Sequence, residues 1–327
     1  MSLQHKIRRA LMPYPLLTSS ALKLWHLMHW QKLRARASRK NIKIRRHYAA
    51  LDFIRNRDII RIDTNHSFYA GDILDAFDFY ADAVKPVVSS GFNLVDFSTP
   101  RYHEVIGYDR HPVLFPSFAE PIVTTQQYLD FANLKKNSVV VDLGAYSGLT
   151  SIIFKDIVGA EGRVIAVDAD ERNMHAIHKN LKLYGNITGN HIETLYGAAW
   201  NHNDGLDFSV EGNMGSSATA IVGKRAAVKH VPSFTLNAIA QKFQLTQIDF
   251  IKCDIEGAEG VVFEDKAFFE KFKPRIIVEI HKVDGSEALT LEKVMNNLKV
   301  HGYTFNKVPQ AGVPMPLLEC FPPQASQ

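Results

Sequence analysis

Cysteine is scarce. The 327-residue chain has two, too few for the disulfide framework of a secreted scaffold, and neither belongs to a recognisable metal-ligand cluster. Acidic residues are missing from the first fifty positions, which hold twelve Lys and Arg. The rest of the chain carries 26 basic residues (38 less 12) against 34 acidic ones, so a basic arm is joined to an acidic body. Long apolar runs are missing too. The longest near the start, Leu11 to Trp30, is broken by Pro13, Pro15, Lys23, His26 and His29. It reads neither as a membrane span nor as a secretory signal.

The arm has two readings. Leu17, Ala21, Leu24 and Met28 recur at helical spacing, as in a helix docked on a body. Alternatively, Trp25 and Trp30 lie at a membrane surface while Lys32, Arg34, Arg36, Arg39, Lys40, Lys43, Arg45 and Arg46 face anionic head groups. Peripheral membrane contact through residues 1–47 of a cytoplasmic protein is the expectation from the second. Nucleic acid is not an expected partner: the arm has charge for phosphates but no reading module, and the body is acidic.

Hydrophobic residues make up 46% of the chain, enough for one large α/β core with a smaller appendage. Three regions are expected: a basic amphipathic arm over 1–50, an accessory or substrate-covering region over 51–120, and a catalytic domain over 121–327. In the second region, Asp58 to Asp63 and Phe92 to Phe97 read as strands and Ile73 to Ala83 as a helix. An aromatic, proline-bearing passage follows from Tyr102 to Glu120, suited to covering the mouth of a site or to a packed connector. In the third, Thr124 is placed to cap a helix ending near Leu134. Val139-Val140-Val141-Asp142-Leu143 is a continuous apolar strand, the pattern of a parallel strand covered on both faces. Further strands are expected at Arg163–Val167, His191–Tyr196, Asp249–Cys253 and Arg275–Ile280, with helices at Arg172–Leu183, Thr235–Phe243 and Ser286–Val300. Two late strands, Tyr303–Val308 and Pro316–Phe321, complete a parallel sheet covered by helices.

Ligands bind such sheets beyond the carboxyl ends of the strands. The segment Val141-Asp142-Leu143-Gly144-Ala145-Tyr146-Ser147-Gly148 supplies the first turn. Gly144 allows close backbone approach and Gly148 close packing one turn later. Asp142 is placed to hold the ammonium of an amino-acid-like cofactor tail, and Tyr146 to pack over the cofactor. Asp168, 24 residues after Gly144, suits ribose hydroxyls, with Asp170 as the alternative. The dinucleotide pattern Gly-x-Gly-x-x-Gly fails, because Tyr146 takes the middle position and Leu149 the last. No Walker A lysine follows either.

At Phe250-Ile251-Lys252-Cys253-Asp254-Ile255-Glu256-Gly257-Ala258-Glu259 the chain resembles the FkbM family of class I methyltransferases. Asn213-Met214-Gly215-Ser216-Ser217, Phe234-Thr235-Leu236-Asn237 and Ile277-Val278-Glu279-Ile280-His281 add to the resemblance, which spans roughly 120–310. It implies a Rossmann-like α/β fold with a mostly parallel seven-stranded sheet in the order 3-2-1-4-5-7-6, to which the mixed N-terminal extension is added. It implies S-adenosylmethionine as cofactor and O-methylation of a small-molecule or glycan acceptor. Asn237 stands where the family often has Asp, and Cys253 replaces an aliphatic residue.

The cofactor contacts expected are Asp142, Gly144, Ala145, Tyr146, Gly148, Asp168 and Asp170. The catalytic candidates are Asp254, Glu256, Glu279 and His281. Asp254 and Glu256 share a face if the chain stays extended past Cys253. His281 has a pKa suited to a general base, and Glu279 is placed to orient it. The same four groups suit a divalent cation, but their spacing does not establish three converging ligands, and no metal is assigned. Lys252 is expected to shield the sheet edge or to pair with an acid. Two rival functions use the same crevice: a NAD-dependent oxidoreductase and a catalytically silent cofactor-binding protein.

Overall fold

A computed structural model describes residues 30–210, 217–218, 221, 227–283 and 286–324. Of the segment Asn213-Met214-Gly215-Ser216-Ser217 that carries part of the resemblance, Ser217 alone lies within these residues, and most of the basic arm lies outside them. The chain divides into two compact units, Met1–Thr99 and Pro100–Gln327.

In the first unit a helix over 30–39 (α1) buries Leu33 and Ala37 and exposes Arg34 and Arg39. A five-stranded sheet follows, formed by β1 (Lys43–Arg46), β2 (Ala50–Arg55), β3 (Asp58–Asp63), β4 (Val87–Ser89) and β5 (Phe92–Phe97) in the order β1-β2-β3-β5-β4. Residues 43–46, assigned from the sequence to the arm, are therefore a sheet strand. The expected helix at 73–83 is instead two short ones, α2 (Ala70–Asp75) and α3 (Phe77–Ala81), because Ala76 between them leaves the helical region (φ −131°). Asp52 on β2 is buried; Arg61 Nε and His47 Nε2 each stand 2.6 Å from its carboxylate. Burial pushes its pKa up, but these partners outweigh it and hold the carboxyl below its ordinary value.

The second unit begins with an antiparallel hairpin, β6 (Arg101–Val105) and β7 (Tyr108–Phe115). The boundary thus falls at 99/100 rather than at 120/121. One buried side chain helps tie the hairpin to the rest of this unit. Asn180 accepts from Leu114 N–H (2.8 Å) and donates to Leu114 C=O (2.9 Å) and Ser147 C=O (2.8 Å), stitching β7 to the glycine turn.

Helix α4 (Val123–Ala132) leads into the central sheet. Thr124 is not its cap; its hydroxyl donates to Pro121 C=O at 3.0 Å. The sheet's strands are β8 (Val139–Leu143), β9 (Arg163–Asp168) and β10 (Glu193–Tyr196), then, after short intervening strands, β16 (Phe250–Cys253), β17 (Arg275–Glu279), β18 (Thr304–Pro309) and β19 (Pro316–Phe321). Their order is β10-β9-β8-β16-β17-β19-β18, with β19 antiparallel to both neighbours. Numbered within this sheet, that is 3-2-1-4-5-7-6, the order that the resemblance implies for a Rossmann-like α/β fold. β8 and β16 are buried along their whole length, as parallel strands covered by helices on both faces must be.

The intervening strands are β11 (Ala198–Ala199), β12 (Leu206–Val210), β13 (Ser217–Ala218), β14 (Ala227–Val231) and β15 (Ser233–Phe234). β12 pairs antiparallel with β13 and β14 in a three-stranded sheet. Helices α5 (Leu149–Val158) and α6 (Glu171–Thr188) follow the first two core strands. α6 starts where the Asp170 side chain accepts from Arg172 N–H at 2.8 Å, and ends at Gly189 with φ +74°. Among the described residues, helices α7 (Leu236–Lys242), α8 (Glu259–Val262), α9 (Lys266–Lys271) and α10 (Glu287–Lys299) follow later in the unit. Among the described residues, no helix is long and apolar enough to cross a membrane.

Candidate active site

A cleft opens beyond the carboxyl ends of β8, β9 and β16, with about 1090 Å³ of empty space open to solvent. Gly144, Ala145, Tyr146, Asp168, Asp254 and Glu256 line it. So do Glu120 and Lys252.

The glycine turn is shaped by the protein rather than by a ligand. Gly144 has φ +77°, and a Cβ there would stand 1.8 Å from Asp254 O. The close approach expected of a cofactor is therefore made by the backbone leaving β16. At Gly148 a Cβ would meet only ordinary contacts at 3.6 Å, so its φ of +79° alone calls for glycine. Gly144 and Ala145 N–H both bond to Val167 C=O, at 2.9 and 3.0 Å, and Gly148 N–H bonds to Ala145 C=O at 2.7 Å. Tyr146 N–H goes to Asp168. These four amides are all engaged internally and make no cradle for a pyrophosphate. The failed dinucleotide pattern has this structural counterpart.

Asp168 is the carboxylate that the turn presents. It accepts from Tyr146 N–H (2.9 Å), Asp170 N–H (2.8 Å) and, less closely, Asn173 Nδ2 (3.3 Å). Burial drives its pKa up to about 7 against those donors. A carboxylate has roughly four acceptor sites, so capacity remains for a ribose hydroxyl. Small and apolar residues adjoin it: Ala169, Gly197, Ala198 and Phe208 line the cleft beside Asp168. An adenosine fits this pairing of a diol acceptor with an apolar wall.

Two expected cofactor contacts fall elsewhere. Asp142 is fully buried and does not line the cleft. Its Oδ2 accepts from Ser151 Oγ at 2.5 Å and its Oδ1 faces Lys252 Nζ at 3.4 Å, so it braces α5 and β16, and the ammonium it meets is that of Lys252 rather than of a cofactor. Asp170, also fully buried, caps α6. Tyr146 does line the cleft, held in the left-handed region (φ +53°). Its hydroxyl donates to Phe118 C=O at 2.7 Å and accepts from Ser117 N–H at 3.1 Å. The aromatic passage before Glu120 is thereby tied to the cofactor turn.

The catalytic candidates gather beside this region. Asp254 and Glu256 both line the cleft, but not as strand neighbours. Glu256 (φ +49°) and Gly257 (φ +93°) turn the chain sharply. Glu279 and His281 converge from the next strand, with Glu279 Oε1 3.5 Å from His281 Nε2. Neither lines the cleft; both lie behind Asp254 and Glu256. His281 Nδ1 sits 2.6 Å from Glu259 Oε1, which also accepts from Gly257 N–H at 3.0 Å. Burial lowers the His281 pKa, but Glu256, Glu259 and Glu279 outweigh it and raise the value well above the ordinary one. The ring alone therefore keeps its proton, which opposes the role of general base expected of it. Glu256 is the better proton acceptor: burial, countered by His281, sets its pKa at about 7.

Lys252 is not at a sheet edge. It sits on β16 between β8 and β17, donates to Gly144 C=O at 2.7 Å, and lies 3.3 Å from Asp254 Oδ2. Burial disfavours its charge, but Asp254, Asp142 and Glu279 outweigh that and raise its pKa. Cys253 is buried, which pushes its thiol well up and leaves it unreactive.

Several site residues were not picked out from the sequence. Glu120 lines the cleft, and burial, then Glu279 and Asp254, raise its pKa well above the ordinary value. Tyr128 and Gln310 donate to Glu279 Oε2 at 3.3 and 3.0 Å. Glu259 was legible as the third carboxylate of the Asp254–Glu259 block, and Glu120 as the acid closing the aromatic passage. Nothing in the local sequence marks Gln310.

Residues 142–305 match the family model of the methyltransferase FkbM domain. The chain belongs to the FkbM methyltransferase family. It is an S-adenosylmethionine-dependent methyltransferase, and the match begins at the first turn and takes in the whole acid cluster from Asp254 to His281. S-adenosylmethionine supplies a methyl group on a positively charged sulfur, ready for attack by a nucleophile. A comparison with curated protein sequences found no match.

Among solved structures, the FkbM protein is similar to precorrin-6y C5,15-methyltransferase from Geobacter metallireducens GS-15, at 15% identity over 62% of this chain and 87% of that one (TM-score 0.38). It is similar to methyltransferase FkbM from Methylobacillus flagellatus KT, at 18% identity over 60% of this chain and 47% of that one (TM-score 0.43). A third, the SAM-dependent O-methyltransferase from Thermotoga maritima, is 12% identical over 64% of this chain and 68% of that one (TM-score 0.38).

Proposed function

We propose that this FkbM methyltransferase methylates a neutral hydroxyl of a sugar, a glycan precursor or a small natural product. The observation that carries the reading is the acidic lining formed by Glu120, Asp254 and Glu256. An acidic wall repels a carboxylate or phosphate acceptor. It would also hold an amine acceptor as its unreactive ammonium. Neutral hydroxyls instead donate hydrogen bonds to carboxylates, and the one that reacts must lose its proton as the methyl arrives. Asp254 is the orienting group and Glu256 the proton acceptor. Its pKa of about 7 lets it be ionised before the step and protonated after it. Positioning the oxygen in line with the methyl carbon supplies much of the remaining rate.

The protein is further proposed to work on the cytoplasmic side, with its basic N-terminus against anionic lipid and a lipid-linked glycan as one acceptor class. The truncation that tests this contact removes residues 1–29, since β1 and α1 belong to the first unit. Equal flotation of both forms with anionic vesicles, or of neither, contradicts it. The acceptor reading is tested by transfer of labelled methyl from S-adenosylmethionine to a panel of neutral sugars, amines and carboxylic acids. Label in a sugar or other hydroxyl compound, released only by ether cleavage, is the expected result. Label confined to amines or acids overturns it.

A further inference from the structure

The groups behind the cleft converge on one point. His281 Nε2 faces Glu279 Oε1 at 3.5 Å, Glu256 Oε1 at 3.6 Å and Asp254 Oδ1 at 3.7 Å. All three distances exceed the roughly 2.7–3.2 Å of an N–H···O hydrogen bond. They lie close to the spacing of neighbouring ligands on one cation, since donors about 2.1 Å from an ion stand roughly 3.0–3.4 Å apart. The ligand atoms of Asp254, Glu279 and His281 all lie within 4.8 Å of one another.

The opposite atom of each of these three side chains is already engaged. Glu279 Oε2 takes Tyr128 Oη (3.3 Å) and Gln310 Nε2 (3.0 Å). Asp254 Oδ2 faces Lys252 Nζ at 3.3 Å. His281 Nδ1 pairs with Glu259 Oε1 at 2.6 Å. His281 is 7% exposed, and Glu259 is fully buried. A histidine that gives its Nδ1 proton to a buried carboxylate turns its other nitrogen outward as a ligand, the arrangement found behind metal-bound imidazoles. A lone imidazolium would be expected to close on one of its three oxygen neighbours; here it stands nearly equidistant from all of them. Among the described residues, the carboxylates of Asp254, Glu256, Glu259 and Glu279 all lie against His281, with Lys252 beside Asp254, so negative groups outnumber positive ones and the cluster suits a cation.

We propose that Asp254 Oδ1, Glu279 Oε1 and His281 Nε2 bind a divalent first-row transition cation, with Glu256 as an adjacent carboxylate. Two oxygens and one imidazole suit Mn²⁺, Fe²⁺, Co²⁺ or Zn²⁺ better than Ca²⁺, which prefers oxygen alone. Asp254 lines the cleft, so a cation held by these residues would stand beside the acceptor, where it would take a hydroxyl oxygen and ease the loss of its proton. That last role rests on the hydroxyl-acceptor reading; the binding site itself does not.

The test uses the full chain, stripped with chelator and titrated with Mn²⁺ by calorimetry. One Mn²⁺ per chain is expected, with a rise in Tm. His281→Gln and Glu279→Gln are expected to weaken binding at least ~10-fold while binding S-adenosylhomocysteine as the wild type does; Glu259→Gln weakens it ~10–100-fold. Pulsed electron paramagnetic resonance on the unmodified protein needs no variant and is expected to detect an imidazole nitrogen on the bound ion. The proposal is overturned by folded protein that binds S-adenosylhomocysteine but no Mn²⁺ up to about 1 mM. It is equally overturned by binding that lacks nitrogen coupling and is unchanged in His281→Gln. If Mn²⁺ binds at these residues but no hydroxyl is methylated, the site stands and the acceptor reading falls.

Discussion

Tyr146 N–H donates to Asp168 Oδ2 at 2.9 Å, from a backbone held at φ +53°. The same residue's hydroxyl is fixed by Phe118 C=O and Ser117 N–H. One tyrosine therefore couples the carboxylate at the end of β9 to the segment that ends at Glu120. The geometry turns Asp168 toward the cleft, where its protonation state is expected to govern cofactor binding.

The pH dependence follows with a definite sign. Asp168 has a pKa of about 7, raised by burial from an ordinary 3.8. An ionised carboxylate accepts from ribose hydroxyls more strongly than a protonated one, so S-adenosylhomocysteine affinity is expected to rise with pH and level off above about 7. Asp168→Asn is expected to bind more weakly, with this component of the profile gone. For folding the direction is opposite. A group whose folded pKa is raised stabilises the protein below its unfolded value and loses that contribution as pH rises through the folded one. The Tm difference between wild type and Asp168→Asn, measured without cofactor, is expected to shift against the wild type between about pH 4 and 7.

Asp142 and Asp170 are expected to matter for stability. Asp142→Ala removes a buried partner of Lys252 and the acceptor of Ser151. Breaking a buried ion pair typically costs about 3–5 kcal/mol. Asp170→Ala removes the cap of α6, at a cost of about 1 kcal/mol. Denaturant unfolding measures both, and calorimetry at a temperature where each variant is folded is expected to show cofactor affinity falling far less than in Asp168→Ala.

Gly144→Ala is expected to damage both folding and turnover. The positive φ alone costs about 1–2 kcal/mol for a residue with a Cβ. The added carbon would also collide with Asp254 O, so the chain leaving β16 must shift, moving Asp254 with it. A Gly148→Ala variant, which faces only the φ cost, is the control for that second effect. Loss of turnover no greater in Gly144→Ala than in Gly148→Ala would contradict the proposed steric role.

Asp254→Asn, which removes the group that orients the acceptor hydroxyl, is expected to lower kcat by about 10²-fold. Affinity for S-adenosylhomocysteine is expected to stay within a few-fold of wild type. Steady-state kinetics on whichever hydroxyl compound accepts the labelled methyl measures the first, and calorimetry the second.

The core strands were legible because their apolar runs are continuous; β8 and β19 fall at the expected residues. The cleft position of Asp168 followed from its place at a strand end. Asp254 and Glu256 were found for an inexact reason, since a left-handed turn rather than strand alternation brings both to the cleft. What the sequence hid is long-range. Glu279 meets Tyr128 and Gln310, 151 and 31 residues away. Asn180 meets Leu114 across 66 residues. Asp142 shows the reverse error: its position at a strand end suggested a ligand, but Lys252 and Ser151 take up its carboxylate.

The most direct test is calorimetric titration of the purified chain with S-adenosylhomocysteine, repeated with Asp168→Ala and with NAD. One site per chain is predicted, weakened at least ~10-fold in the variant by the lost hydrogen bonds to a charged acceptor, with no heat from NAD. Equal affinity in wild type and a folded Asp168→Ala, or binding of NAD in place of S-adenosylhomocysteine, would contradict it.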